Sequence, residues 1–451
     1  MTSPLSVWMP HGGASPVITP TRRCMAVLST PVNGVIKNAE ITWRLSTTLP
    51  STTTRWRVRI RNYQLRTETA INTGASFVGV YHGQQALDSS GQPTGGFTAA
   101  PTQALGAFTL PADGSEYISA WITGTQITAG LPWLFSFAYT GGDTVTGQGS
   151  SQGQMWYKIG AGSSAAVNQT DATGFTSTGA SPFDIRIEYD TVTTNRVTLV
   201  VGDSITFGTA SAVLPQQFAY PTIYALRTGN PALNGGVPGA LASEWAGATT
   251  LWKYQRFDPA NVPVDQAIVY IGTNDIGGNS SVATFKTNLL AILTNLRALG
   301  VQRIIVCTIT PRNLAHGLIV KPIAVGATSV IVDNGALTAG SVQLGENLNS
   351  ETVTLSASPT NNGDGTYTYT ITATTKAHTV GEVVALSQET LRLGYNAFLR
   401  GLPGGAVASA SFDRAWAATY DSAVAQSDFV QGDQLHPTPG GAARLAELLP
   451  A

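Results

Sequence analysis

Four short segments carry side chains of the type and setting that acyl-transfer chemistry needs. Ser204 stands in Gly202-Asp203-Ser204-Ile205-Thr206, directly after the apolar run Val197-Thr198-Leu199-Val200-Val201. A serine at the carboxyl end of a buried strand borders the crevice in which open α/β sheets hold ligands, so its hydroxyl can meet a substrate there. The triplet alone says little in a chain with 48 glycines. The second segment is Asn234-Gly235-Gly236-Val237-Pro238-Gly239. Its glycines let the backbone approach a bound atom and aim an N–H at it, although a surface turn uses the same residues. In the third, Gly272-Thr273-Asn274-Asp275 follows another apolar run, Ala267 to Ile271. There the Asn274 amide can donate to a developing oxyanion, or simply cap a helix. The fourth is Asp433-Gln434-Leu435-His436-Pro437. Of five histidines, only His436 has a carboxylate three residues before it in a loop-like context, so Asp433 is placed to hold the imidazole in the tautomer that accepts a serine proton. His11, His82, His316 and His378 read as structural or solvent-exposed.

Gly149-Ser150-Ser151-Gln152-Gly153 matches the Gly-x-Ser-x-Gly elbow of a different esterase fold. That elbow needs a strand before it and a helix after it. No helical pattern follows here, and Ser151 reads as a loop residue.

The elements that must position these residues fall into three compositional regions. Residues 1–192 consist of short β-rich runs between turn clusters, such as Trp56-Arg57-Val58-Arg59-Ile60 and Ser76-Phe77-Val78-Gly79-Val80-Tyr81, and read as an N-terminal β-sandwich of jelly-roll character. Phe183 to Tyr189 alternates strictly, which suits a half-buried strand. Trp43, Trp56, Trp121, Trp133 and Trp156 fit core packing there, with a sugar-stacking platform as the functional alternative and carbohydrate binding as the role it would give this region. Residues 193–316 and 387–451 read as α/β, a doubly wound parallel sheet. Its strands are continuous apolar runs of the kind buried on both faces. Arg303 to Thr308 is the third of these, and Phe285, Leu289, Ile292, Leu293, Leu296 and Leu299 form a helix before it, capped by Ser281 and stopped by Gly300. Strand, helix and strand at this spacing make a right-handed βαβ crossover. Residues 317–386 return to a pure β rhythm around the turn Asn362-Gly363-Asp364-Gly365 and read as a small inserted β module. Leu391, Tyr395, Phe398 and Leu399 then restore helical spacing, and Leu445 and Leu448 lie in a last amphipathic segment.

Composition narrows the function classes. With 451 residues the chain buries large cores without metals or disulfides. A formal net charge of -1 with 11% charged residues leaves no basic footprint for nucleic acid phosphates. Cys24 and Cys307 are far apart, Cys307 within the apolar run Ile304-Ile305-Val306, and neither a disulfide framework nor zinc spacing is expected. No secretory leader is read at the N-terminus and no stretch is long enough to span a bilayer. Work in the cytoplasm, or carriage to the outside by a route such as a virion, is the corresponding expectation.

Together the four segments, in this order, resemble the GDSL or SGNH hydrolase superfamily. The resemblance covers Arg196 to about His316 and Gln388 to the C-terminus. It implies Ser204 as nucleophile, His436 as base oriented by Asp433, and the N–H of Ser204, the N–H of Gly239 and the Asn274 side chain as oxyanion donors. The gap from Asn274 to His436 is longer than in a compact member, and the β insertion accounts for it. The implied reaction is ester hydrolysis through an acyl-serine, with no metal or organic cofactor. Many relatives remove small acyl groups from sugars, and the insertion resembles small β modules of bacteriophage tail proteins. The substrate expected is therefore an acylated glycan of a cell surface, or a small ester. Expected partners are virion tail proteins or further copies of the chain. A lipase or thioesterase is the alternative enzyme, and an adhesive tail protein with a relic hydrolase domain the alternative from another class. Intact Ser204, Asn274, Asp433 and His436 argue against a relic.

Overall fold

A computed structural model describes residues 21–31, 35–37, 40–71, 74–140, 144–146, 149–181, 183–193, 195–209, 219–311, 316–337, 339–345, 349–356, 358–386, 388–417, 425–426, 428–431 and 435–450. Both His11 and Asp433 lie outside the described residues.

Among the described residues the N-terminal region is mostly strands, as its short alternating runs lead one to expect, with a 3-10 helix at Ser163–Asn168. Among the described residues, thirteen strands between Thr21 and Val192 form one hydrogen-bonded sheet. Its main path runs Phe108–Thr109, Ser76–Leu87, Pro132–Thr140, Ile41–Thr48, Gly149–Ile159, Thr21–Thr30, Asp184–Val192, Thr53–Arg61, Tyr117–Ile118. The two edge strands of that path meet again, for the Phe108 and Tyr117 rings stack with centroids 4.3 Å apart. Trp56, far along the path from Phe135 and His82, packs on both, at 5.3 and 4.8 Å between ring centroids. The sheet therefore rolls over an aromatic core and removes that apolar area from water.

The Asp184–Val192 strand differs from the half-buried strand its alternation suggests. Ile185, Ile187 and Tyr189 enter the rolled core, but Asp184, Arg186 and Glu188 on the other face are buried too. Burial of that polar face is possible because it meets matched charge. Asp184 pairs with Arg256 at 3.0 Å and with Arg186 at 3.2 Å. Glu188 pairs with Arg57 at 2.8 Å and Arg59 at 3.1 Å, while Arg59 reaches Asp258 at 2.8 Å and Glu116 at 2.7 Å. Arg256 and Asp258 come from beyond residue 192, so this network joins the rolled sheet to the rest of the chain.

The second sheet has five strands in the order Ala232–Asn234, Thr198–Gly202, Gln266–Tyr270, Arg303–Cys307, Ala408–Ala410, all parallel to their neighbours. The three central strands are almost wholly buried, as continuous Val/Ile/Leu runs require. Helix Val282–Ala298 connects two of them. Ser281 Oγ accepts from the Thr284 N–H at 3.1 Å at its start, and Gly300, at φ +88°, lets the chain turn after its end.

The segment from His316 to Leu386 begins and ends side by side, because His316–Leu318 pairs antiparallel with Val383–Leu386 in the register His316↔Ala385. Two small sheets enclose a core of their own containing Ile319, Val332, Leu344, Leu355, Tyr369 and Val384. His378 is buried in this segment between Glu351, at 2.9 Å, and Glu382, at 2.7 Å. His82 is buried in the rolled sheet and accepts from Trp133 Nε1 at 3.3 Å. Both histidines thus have structural partners. Trp43, Trp56, Trp133 and Trp156 are buried as core residues. The Trp121 ring is covered instead by the guanidiniums of Arg23, Arg55 and Arg57, at 5.1, 3.8 and 4.5 Å. Cys24 and Cys307 are free and buried, and desolvation pushes both thiols up, Cys24 to about 12. Among the described residues no helix is long and apolar enough to cross a membrane.

Candidate active site

Where the Thr198–Gly202 strand ends, the chain folds straight back into the four-residue helix Ser204–Phe207. Gly202 permits the reversal, since a Cβ there would stand 1.9 Å from Thr206 Oγ1 and 2.7 Å from the Tyr270 carbonyl oxygen. Asp203 caps the helix by accepting the Ile205 N–H at 2.9 Å. Ser204 is the first helical residue, and an N–H in that position has no carbonyl one turn earlier to bind. Its Oγ lies 3.0 Å from His436 Nε2. The histidine is held by its backbone: its carbonyl accepts the Gln431 N–H at 2.9 Å, and Val430 bridges Pro437. Just beyond it, Thr438 Oγ1 accepts the Gly441 N–H at 3.1 Å and starts helix Pro439–Glu447.

The glycine-rich segment is fastened to the nucleophile helix. Asn234 Nδ2 donates to the Thr206 carbonyl at 2.9 Å, its Oδ1 accepts the Gly236 N–H at 2.9 Å, and the Val237 N–H donates to the Gly202 carbonyl at 3.1 Å. Gly236 is so close that a Cβ on it would lie 2.3 Å from the Phe207 nitrogen. Gly239 takes φ +75°, a conformation glycine adopts without strain. Asn274, in the short helix Thr273–Gly277, donates from Nδ2 to the Ala240 carbonyl at 3.0 Å. Asp275 Oδ2 accepts the Ala242 N–H at 2.9 Å, and burial raises its carboxyl above the ordinary value. Ser204, His436, Gly239 and Asn274 are in this way brought to the carboxyl end of the parallel sheet, the crevice side of such folds.

Ser151 does not join them. It lies inside the strand Gly149–Ile159, opposite Ser29, rather than in a loop, because the surrounding Gly/Ser residues pair with the neighbouring strand of the rolled sheet. Two residues to which the sequence assigns no role do reach the site. One is Asn234, whose side chain ties the glycine-rich segment to the Ser204–Phe207 helix. The other is Arg66 of the N-terminal region, whose Nη1 would stand 2.6 Å from a Cβ on Gly239. No spacing or motif around Arg66 points to the site. Among the described residues no group of three or more His, Cys, Asp or Glu side chains could hold a metal ion.

Residues 200–327 match the GDSL-like Lipase/Acylhydrolase family, a stretch that contains Ser204, Gly239 and Asn274 and ends before His436. Among solved structures, the chain is similar to a protein described as lipolytic and of the G-D-S-L family from Desulfitobacterium hafniense DCB-2, at 10% identity and TM-score 0.35, covering 56% of this chain and 97% of that one. It is similar to the SGNH-hydrolase family esterase AlinE4 at 26% identity and TM-score 0.22, over 26% of this chain and 61% of that one. A family two carbohydrate esterase from Cellvibrio japonicus is similar at 12% identity and TM-score 0.26, over 65% and 81% of the respective chains. Comparison with curated proteins gave no match.

Proposed function

From the match of residues 200–327 to the GDSL-like Lipase/Acylhydrolase family, we propose that the chain is a serine esterase acting through an acyl-serine on O-acyl, chiefly O-acetyl, groups of cell-surface polysaccharide. The observation that carries the reading is the 3.0 Å contact between His436 Nε2 and Ser204 Oγ at the end of a buried parallel strand. Ser204 Oγ attacks the ester carbonyl while His436 takes its proton and then returns it to the leaving alcohol. Asp433 orients the imidazole. The N–H of Ser204, the N–H of Gly239 and Asn274 Nδ2 receive the oxyanion, each such donor being worth roughly 3–4 kcal/mol where water is excluded. Water then clears the acyl group by the same path in reverse.

The proposal includes the architecture. The region up to residue 192 acts as one jelly-roll-like β unit, the parallel sheet is doubly wound, and residues 317–386 form a separate module. That module leaves the α/β part just after the Arg303–Cys307 strand, on the crevice side, which supports a large substrate. Release of acetate from O-acetylated polysaccharide, set beside hydrolysis of 4-nitrophenyl acetate and 4-nitrophenyl octanoate, tests the reading. Acetate esters should be turned over at least tenfold faster than octanoate, and the reverse order would make the protein a lipase.

A further inference from the structure

The hairpin between Tyr63–Gln64 and Thr69–Ala70, paired Tyr63↔Ala70 and Gln64↔Thr69, projects from the rolled sheet onto the α/β part. It is firmly held there. Glu68 accepts the backbone N–H groups of Trp252 at 2.9 Å and Lys253 at 3.2 Å, and its carboxylate pairs with Lys253 Nζ at 2.8 Å. The same buried ammonium donates to the carbonyls of Leu65 and Arg66, both at 3.3 Å. Arg66 therefore starts from a fixed backbone, and its side chain extends over Gly239. A Cβ on Gly239 would lie 2.6 Å from Nη1, 3.1 Å from Cζ and 3.4 Å from Nη2. Gly239 itself stands between Val237, bonded to Gly202, and Ala240, bonded to Asn274. The guanidinium is thus at the rim of the reacting site.

Its charge is only loosely answered. Among the described residues its one ion pair is with Glu244, at 3.6 Å through Nε, and the other oxygen of that carboxylate already accepts the Leu241 N–H at 2.7 Å. The Arg66 side chain keeps 37% of its surface exposed, and the pair leaves the Nη1–Nη2 fork beside Gly239. Such a fork matches the two oxygens of a carboxylate, which a lysine cannot do as well.

We propose that Arg66 is a specificity-determining residue, supplied by the N-terminal region, that binds a carboxylate of an acidic glycan next to the ester being cleaved. The proposal rests on the esterase reading and adds the substrate class, an acylated uronic acid polymer. The test compares acetate release from O-acetylated oligogalacturonates with release from neutral O-acetylated xylo-oligosaccharides. For Arg66→Ala the ratio of the two kcat/KM values should fall at least tenfold, mainly through KM on the acidic substrate, and Arg66→Lys should fall between Arg66→Ala and the parent. A ratio within twofold of the parent overturns the proposal, as does an equal loss on both substrates, which would put Arg66 on the oxyanion. Calorimetry of oligogalacturonate binding in a Ser204→Ala background reads the same contact without turnover. Arg66→Ala should weaken that affinity about tenfold, and unchanged affinity overturns the proposal. If no variant releases acetate while the binding difference persists, the esterase reading fails and the Arg66 site stands.

Discussion

Gly236→Ala places a methyl group 2.3 Å from the Phe207 nitrogen, 2.6 Å from the Phe207 Cα and 2.8 Å from the Thr206 carbonyl carbon. Comfortable contact begins near 3.5 Å, so something must give by about 1 Å. The obstructing atoms are backbone of the helix that carries Ser204. The glycine segment cannot retreat freely either, because Asn234 holds Thr206 and Val237 holds Gly202. The strain therefore falls on the nucleophile. Overpacking of this kind costs about 1–3 kcal/mol, and a displacement of about 1 Å at the reacting atoms costs on the order of a hundredfold in rate. Turnover of 4-nitrophenyl acetate should drop by about that factor, with melting lowered by roughly 2–4 °C per kcal/mol. Gly106→Ala, where nothing lies within 4 Å of the added methyl, serves as the control and should change neither. A folded Gly236→Ala protein with the parent kcat would refute the idea that these two loops position Ser204 by direct contact.

Asn274→Ala should lower kcat by about a hundredfold through loss of an oxyanion donor; an effect confined to KM would make it a substrate-binding group. Burial holds the His82 imidazole down to about 4 from its ordinary 6.5. As pH falls, the unfolded chain takes up this proton first, so stability on the order of 3 kcal/mol is present above pH 6.5 and lost by about pH 4. Urea unfolding of the parent and His82→Gln across that range should show a shallower acid loss in the variant, and parallel curves would exclude His82 as the cause. Replacing residues 317–385 by a short Gly-Ser linker should keep hydrolysis of a small ester within about tenfold, since closing the adjoining ends over a new length costs little. Unfolding of that deletion protein would make the segment part of the catalytic core.

The parallel strands and the Val282–Ala298 helix were readable because each depends on local pattern: unbroken apolar runs, a serine cap and a closing glycine. That Ser204 and His436 come together was legible for a related reason, as each stands beside a recognisable element end. The Phe183–Tyr189 alternation misled because the groups that allow Asp184, Arg186 and Glu188 to be buried come from three distant segments, around Arg57, Glu116 and Arg256. Ser151 read as a loop residue because no helical pattern follows it, and pairing with the distant Thr21–Thr30 strand places it in a strand instead. Arg66 carried no local signal at all. Its position follows from Glu68 meeting the Trp252–Gln255 helix, a contact between regions that no window of sequence contains.

Reaction with a fluorophosphonate followed by peptide mapping tests the serine mechanism most directly, because the reagent needs an activated nucleophile beside oxyanion donors. One phosphonyl group is expected on Ser204, absent from Ser204→Ala and formed far more slowly in His436→Ala. An adduct on Ser151 or elsewhere, or an unmodified Ser204 after prolonged incubation of active protein, would contradict it.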